Sequence, residues 1–279
     1  MRLPLAIGMS LIAATFATAA HAKDWKTVVI GMEGAYAPYN LTDSSSKIVG
    51  FEPDLVQDLC ARIKVECKII AQDWDGMIPG LQAGKFDVIM DGMSITDERK
   101  GQIDFSAPYA NAPAGFVAAK DSPLAKLASN GKVFDLTKSP AEAGKALDEL
   151  RAALKGKTVG VQVSTTHATF ADAHLKDIAT VKEYKTTDER DLDLKSGRID
   201  AELDDYPILA AVLDQPDSKD YAIIGPQFAG GEFGIGVGMG LRKADADLTA
   251  KFNDALKAAF ADGSVKKYSL KWFKIDTTP

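Results

Sequence analysis

The sequence predicts an α/β protein of two lobes, each built on a mixed, mostly parallel sheet. Short β-branched runs alternate with segments of helical periodicity along most of the 279-residue chain, as in repeated strand–helix units. The alternation recurs too often for one sheet. No low-complexity linker separates the two blocks, so we expect hinge strands to join the lobes rather than a flexible tether.

The first block opens with the β-branched run 27–32, followed by a loop rich in Gly, Pro and Asn. Pro53 suits the first turn of a helix, where its missing N–H is not needed. The predicted elements are strands 27–32, 66–71 and 86–90, a helix from Pro53 and a helix over 74–82.

The second block begins near Gly115. Ser139 and Glu142 have capping-box spacing, and so do Thr186 and Glu189; each pair predicts the start of a helix. The predicted elements are strands 157–163, 181–184, 198–203, 221–224 and 234–241, and helices 140–154, 166–173, 188–196, 206–213, 245–261 and 264–272.

The N-terminus has the layout of a secretory signal peptide. Arg2 precedes an apolar stretch that ends in Ala20-His21-Ala22, a small-x-small cleavage pattern. We expect residues 1–22 to be removed after Ala22. The protein would then be released into the periplasm, without a lipid anchor, because no cysteine follows the cleavage point.

Charge and motif content exclude several classes of function. The formal net charge is −6, and no basic run is present to bind nucleic acid or an anionic membrane. The glycine-rich run 234–240 lacks the dinucleotide-binding spacing. Hydrolase and metalloprotease motifs are absent, and only His167 and His174 follow the leader. We therefore predict no catalytic residue, no metal and no cofactor.

The sequence contains two cysteines, Cys60 and Cys67. Exported proteins fold under oxidising conditions, in which such a pair usually bridges. The spacing is not that of a redox or zinc motif. We expect a disulfide between the helix that contains Cys60 and the strand that contains Cys67.

The segment 90–99 follows a predicted strand, at the end where open α/β sheets bind ligands. Gly92 would let the backbone approach a ligand. Arg99 stands in the first turn of a predicted helix, where a cation opposes the helix dipole. This position suggests an anionic partner. A surface Arg99 paired with Glu98 or Asp104 explains the residue equally well.

Several motifs resemble those of the periplasmic polar amino-acid binding proteins, which include lysine/arginine/ornithine and histidine binders. The spacing of Cys60 and Cys67 also matches. The resemblance implies the type II two-lobed fold with a two-strand hinge, with one lobe from 23–110 plus 236–279 and the other from 111–235. The matching segments are Tyr36-Ala37-Pro38-Tyr39, Gly50-Phe51-Glu52-Pro53-Asp54-Leu55, Trp74-Asp75-Gly76-Met77-Ile78-Pro79-Gly80-Leu81, Ser94-Ile95-Thr96-Asp97-Glu98-Arg99, Gly197-Arg198-Ile199-Asp200-Ala201 and Val237-Gly238-Met239-Gly240-Leu241-Arg242-Lys243.

The resemblance also implies a binding site. Arg99 would grip a ligand α-carboxylate bidentately, aided by Ser94 and Thr166, and Asp205 would take the α-ammonium. At the side-chain end, aromatic rings could sandwich a planar cation and carboxylates could neutralise it. The expected ligand-binding residues are Glu33, Tyr36, Trp74, Asp91, Gly92, Ser94, Arg99, Ser164, Thr166 and Asp205.

These residues favour a cationic L-amino acid, with arginine first and lysine, ornithine or histidine as alternatives. The segment 161–167 and an extra stretch at 131–155 resemble the opine-binding branch, so an octopine- or nopaline-type ligand is the second hypothesis. A dehydratase on the same fold is a third. The implied partner is an inner-membrane ABC permease, and a monomer is expected. A role in chemotaxis would use the same site.

Overall fold

The structure is a computed structural model that describes residues 23–279; the predicted signal peptide lies outside this range. Strands are numbered in chain order. They are β1 (Thr27–Met32), β2 (Ala35–Tyr36), β3 (Asn40–Thr42), β4 (Ile48–Val49), β5 (Glu66–Ala71), β6 (Val88–Ile89), β7 (Asp104–Phe105), β8 (Ala114–Ala119), β9 (Val133–Asp135), β10 (Thr158–Gln162), β11 (Thr180–Tyr184), β12 (Ala201–Asp205), β13 (Tyr221–Ile223), β14 (Gln227–Ala229) and β15 (Gly240–Leu241).

The α-helices connect these strands and cover the sheets. They are α1 (Phe51–Ile63), α2 (Met77–Gln82), α3 (Asp97–Gln102), α4 (Pro140–Leu154), α5 (Thr166–His174), α6 (Thr187–Lys195), α7 (Tyr206–Leu213), α8 (Ala246–Ala261) and α9 (Ser264–Trp272). No helix within residues 23–279 has both the length and the apolar character needed to cross a bilayer.

The first lobe is built on a sheet of order β5-β1-β6-β15-β7. β1 runs parallel to β5 and to β6, whereas β15 enters between β6 and β7 antiparallel to both. β15, which comes late in the chain, therefore belongs to the same sheet as β1. Val28, Leu55 and Phe252 are buried together between this sheet and its helices, which accounts for the apolar periodicity of α1 and α8.

The second lobe is built on a sheet of order β11-β10-β12-β8-β14-β9, with β13 also paired to β8. β10 runs parallel to both neighbours, and β8 is antiparallel to β12, β13 and β14. Phe116, Val159, Phe170 and Leu203 form its core. The two-lobed α/β prediction is confirmed, and both sheets are mixed. They are not mostly parallel, because parallel and antiparallel pairings are equally frequent among the described strands of the two sheets.

The chain crosses between the lobes near Ala110 and again near Val237, and these two residues form an antiparallel bridge. This bridge agrees with a two-strand hinge. The lobe limits proposed from the sequence, at 110/111 and 235/236, stay predictions.

Three local expectations were wrong. The predicted strand 234–241 is shortened to β15, because Gly234 and Gly236 have positive φ values of 73° and 122° that interrupt an extended strand. The predicted helix 74–82 is divided into a 3₁₀ turn, Trp74–Gly76, and α2. Ser139 precedes α4 without a side-chain cap. The second predicted capping box, between Thr186 and Glu189, is confirmed.

The extra stretch 131–155 lies at the far edge of the second sheet. β9 pairs with β14 through Phe134 and Phe228, and α4 buries Leu150 and Leu154. None of these residues lines the cavity described below. The stretch therefore completes the second lobe at its edge.

Candidate functional site

A small cavity lies between the lobes, where several strands end. Glu33 follows β1, Asp91 and Gly92 follow β6, and Gln162 ends β10. This is the edge at which open α/β sheets bind ligands. The lining residues are Glu33, Tyr36, Trp74, Asp91, Gly92, Ser94, Arg99, Gln162, Thr165, Thr166 and His167.

Arg99 supplies a buried positive charge to this cavity. Thr96 caps α3 by accepting a hydrogen bond from the Arg99 N–H, which places the guanidinium at the first turn. The guanidinium donates to the carbonyl oxygens of Ser94 (3.0 Å) and Ser164 (3.4 Å). Burial lowers its pKa to about 10. Within residues 23–279 Arg99 forms no ion pair, so the surface pairing with Glu98 or Asp104 is wrong.

Trp74 and Ser164 meet across the cleft. The Trp74 indole donates to the Ser164 carbonyl at 3.3 Å, and the Arg99 guanidinium lies 5.3 Å from the centre of the indole ring. Ser164 has φ = 60°, the left-handed region that non-glycine residues rarely adopt. In this conformation the Ser164 carbonyl accepts hydrogen bonds from two first-lobe side chains, Trp74 and Arg99.

Glu33 and Asp91 form an acidic wall. The Glu33 N–H and the Asn40 amide both donate to Asp91 Oδ1, at 2.9 and 2.7 Å, whereas the buried Asp91 Oδ2 has no hydrogen-bond partner within the described chain. Burial raises the pKa of Glu33 to about 7. Burial, together with the charges of Glu52 and Glu33, raises the pKa of Asp91 well above its ordinary value.

Glu52 in α1 supports the acidic wall through hydrogen bonds. Its carboxylate accepts from the Gly92 N–H and from the Asn40 amide, both at 2.7 Å, and from the Tyr109 hydroxyl. Gly92 has φ = 58°, and a Cβ there would lie 2.5 Å from the Tyr36 ring. Only glycine lets the aromatic ring approach this turn so closely.

The second lobe contributes a group of polar side chains at the end of β12. Tyr36 of the first lobe donates to Asp204 at 2.8 Å and approaches Asp205 at 3.4 Å. His167 Nε2 lies 3.2 Å from the other Asp205 oxygen. Burial raises the pKa of Asp205. The buried Arg190 forms an ion pair with Asp204.

His167, Asp204 and Asp205 are close enough together to surround a metal ion. Their polar atoms, however, already contact one another, Tyr36 and Arg190. The donor set is therefore engaged by protein groups, and we assign no metal to it.

The cavity brings together eight of the ten residues expected from the sequence. Ser164 and Asp205 do not line it directly but contact residues that do. Gln162, Thr165 and His167 also line the cavity but were not predicted as ligand-binding residues, although all three lie in the 161–167 segment that resembles opine binders. The supporting carboxylates Glu52 and Asp204 were not predicted either.

The family model "Bacterial extracellular solute-binding proteins, family 3" matches residues 28–275. The octopine-binding periplasmic protein of Rhizobium meliloti is 44% identical over 272 residues, covering 91% of this chain and 92% of that protein. The L-arginine-binding protein of Pseudomonas aeruginosa is 37% identical over 254 residues, covering 90% and 89%.

A solved structure, an ancestral arginine-binding protein bound to arginine, superposes with a TM-score of 0.73. The two sequences are 33% identical, and the alignment covers 91% of this chain and all of that one (100%). The agreement in fold and in sequence leads to one conclusion. The chain belongs to the bacterial extracellular solute-binding proteins, family 3.

Proposed function

We propose that this protein is the periplasmic component of an ABC importer and captures a cationic L-amino acid, arginine before lysine, ornithine or histidine. One observation carries the proposal. Among residues 23–279, the cavity contains a buried guanidinium and two buried carboxyl groups that form no ion pair: Arg99 on one side, and Glu33 with Asp91 on the other. Buried charges are costly unless paired. A ligand with an α-carboxylate and a distal cation would compensate both.

The roles follow from this charge distribution. The ligand carboxylate would replace the long Arg99–Ser164 contact with charge-assisted bonds to the guanidinium. The distal cation would lie against Glu33 and the unpartnered oxygen of Asp91. Asp205 would accept from the α-ammonium, and Tyr36 and Trp74 would pack along the aliphatic part. Acidic ligands would meet repulsion at the same carboxylates.

An opine of the octopine type is the second candidate. Both Asp205 oxygens already contact protein groups, namely His167 and Tyr36. A secondary amine needs less from Asp205 than a free α-ammonium does. The 44% identity to a protein named for octopine binding supports this candidate.

Calorimetry of arginine and octopine against wild type and Asp205→Ser distinguishes the two. For arginine the substitution leaves the ammonium unpaired, which should cost about 3–5 kcal/mol, or roughly two to three and a half decades of affinity. For octopine it removes a bulky anion from beside a substituted amine that needs room, so affinity should hold or rise. The matched control, Asp75→Ser, removes an exposed carboxylate near the cleft and should change neither.

Wild type that binds neither arginine, lysine, ornithine, histidine nor octopine would contradict the proposal. Chemical conversion of a bound amino acid or of a prephenate-like substrate would instead support the dehydratase hypothesis.

Export and delivery of the ligand to a permease are also part of the proposed function. The relatives are periplasmic binding proteins, so this protein is exported, and we propose that cleavage after Ala22 releases it. We also propose a monomer that delivers its ligand to an inner-membrane permease. Mass spectrometry of the periplasmic protein should find Lys23 at the N-terminus.

A further inference from the structure

Gln162 connects the two lobes at the acidic wall. It ends β10 in the second lobe, and its side-chain amide donates to both carboxylate oxygens of Glu33 in the first lobe, at 3.0 and 3.2 Å. The same amide nitrogen donates to the Lys185 carbonyl at 3.1 Å. Gln162 is 4% exposed, so water has little access to replace it.

The partners determine the orientation of this amide. A backbone carbonyl and an ionised carboxylate can only accept hydrogen bonds. The nitrogen of Gln162 must therefore face both Lys185 and Glu33, and its two contacts with Glu33 are both favourable only while Glu33 is ionised. A protonated Glu33 would keep one acceptor oxygen, but its hydroxyl would replace a charged acceptor with a donor.

The charged groups around Glu33 would otherwise disfavour its ionised form. Asp73, Asp188 and Asp204 face it from three different elements, and Asp91 lies beside it. The nearby cations are engaged elsewhere: Lys185 pairs with Asp73 at 2.6 Å, and Arg190 pairs with Asp204. The Glu33 carboxylate forms no ion pair in the part of the chain described. Gln162 is thus a neutral donor that stabilises its charge.

We infer that Gln162 is a positioning residue that keeps Glu33 ionised and aimed into the cavity, so that closure of the lobes creates the acceptor for the ligand's cation. The inference rests on the proposed function, because it takes Glu33 as that acceptor. A neutral amide suits the task, since a lysine or arginine here would neutralise Glu33 and compete with the ligand.

The pH dependence of affinity tests this role. Burial raises the pKa of Glu33 to about 7, and the Gln162 hydrogen bond opposes that rise. A cationic ligand requires the ionised form, so arginine affinity should increase as pH rises to about 7 and level off above it. Below the midpoint the change should approach about tenfold per pH unit, as expected for one proton.

The substitution Gln162→Leu removes the donor. The midpoint for arginine should move up by about one pH unit, as expected for the loss of a hydrogen bond to a charged group. Affinity should then fall about fivefold at pH 7 and about tenfold well below the midpoint. Gln162→Glu, which keeps the side-chain length but adds an anion, should move the midpoint further. Binding of citrulline, which has a neutral ureido group, should not acquire this pH dependence.

A double-mutant cycle separates the inference from the proposed function. In a Glu33→Gln background the Gln162→Leu change should no longer shift the pH profile of arginine binding. If Glu33→Gln weakens arginine binding but Gln162→Leu leaves the midpoint in place, the inference is wrong and the proposed function stands. If Glu33→Gln has no effect on arginine binding, both the cation site and the inference are overturned.

Discussion

Arg99 illustrates how one residue connects ligand binding to the energetics of the folded state. Arg99 is 9% exposed, and its guanidinium contacts carbonyl oxygens rather than a carboxylate. Neutral acceptors compensate a buried charge only in part. The free protein therefore holds this cation at a cost that a carboxylate ligand would offset.

Arg99→Ala should accordingly separate binding from stability. Affinity for any α-carboxylate ligand should fall by about 3–5 kcal/mol. The ligand-free protein should be as stable as wild type or more stable, because the substitution removes an unpaired buried charge. Isothermal calorimetry and thermal unfolding measure the two effects.

Lys100→Ala, an exposed neighbour on the same helix, serves as the matched control and should change neither quantity. Destabilisation of the free Arg99→Ala protein by several kcal/mol would show that Arg99 is mainly a structural residue.

Individual site residues were predictable where residue type and strand-end position coincided. Arg99 and Asp91 combine both signals, and both line the cavity. Gln162 and Glu52 could not be predicted in this way, because a lone Gln at the end of a strand and a Glu in the first turn of a helix are common in any α/β protein. Their roles depend on partners far apart in sequence, Glu33 and Gly92, and become visible only when the lobes are assembled.

At the scale of elements, the disulfide joins α1 to β5. Cys60 and Cys67 are bridged, as expected from the sequence. α1 ends at Ile63, and the left-handed conformation of the following Lys64 turns the chain towards the strand. The bridge therefore closes a short loop on the face of the first lobe, and neither cysteine lines the cavity.

Reduction should lower stability without weakening ligand binding. Closing a loop of this length contributes about 2–3 kcal/mol in the chain-entropy treatment. The midpoint of thermal unfolding should fall in the presence of a reductant, whereas the calorimetric affinity for arginine should not change. Two free thiols in the native, unreduced protein, or a loss of affinity on reduction, would contradict this expectation.

The elements themselves followed from the sequence where local signals were strong. α4 and α7 have the predicted limits because each starts with a proline in its first turn. The strand predicted over 234–241 was too long. Its alternating glycines have the two-residue spacing of a strand, but positive φ values at Gly234 and Gly236 bend the chain. Such backbone geometry depends on close contacts: a Cβ at Gly234 would lie 2.1 Å from the Ile95 carbonyl oxygen.

At the scale of the whole molecule, the lobes are in direct contact around the cavity. Besides the Gln162–Glu33 contact, the Tyr36 hydroxyl donates to Asp204 and Thr187 donates to the Ala35 carbonyl. These bonds form between protein groups alone. We therefore expect a measurable closed population without ligand, which a ligand with higher affinity for that state would increase.

Tyr36→Phe tests this expectation, because it removes the hydroxyl and keeps the ring. The ligand-free protein should open, seen as a larger radius of gyration by X-ray scattering, whereas the ligand-saturated form should be unchanged. Arginine affinity should fall by an amount on the order of 1.5–3 kcal/mol, typical of a hydrogen bond to a charged acceptor.

Tyr184→Phe is the matched control. The Tyr184 hydroxyl also donates to a buried carboxylate, that of Asp193 at 2.7 Å, but within the second lobe. This variant should scatter like wild type. Equal expansion of the two variants would indicate general loosening rather than release of a contact between lobes.

The position of Trp74 has an optical consequence. The chain has three tryptophans, and Trp25 and Trp272 donate to Asp247 and Asp54 within the first lobe. The Trp74 indole instead bonds to a carbonyl of the second lobe. Opening of the cleft would expose this one indole to water and leave the other two in place. Intrinsic fluorescence should therefore report lobe closure in real time, without an attached dye.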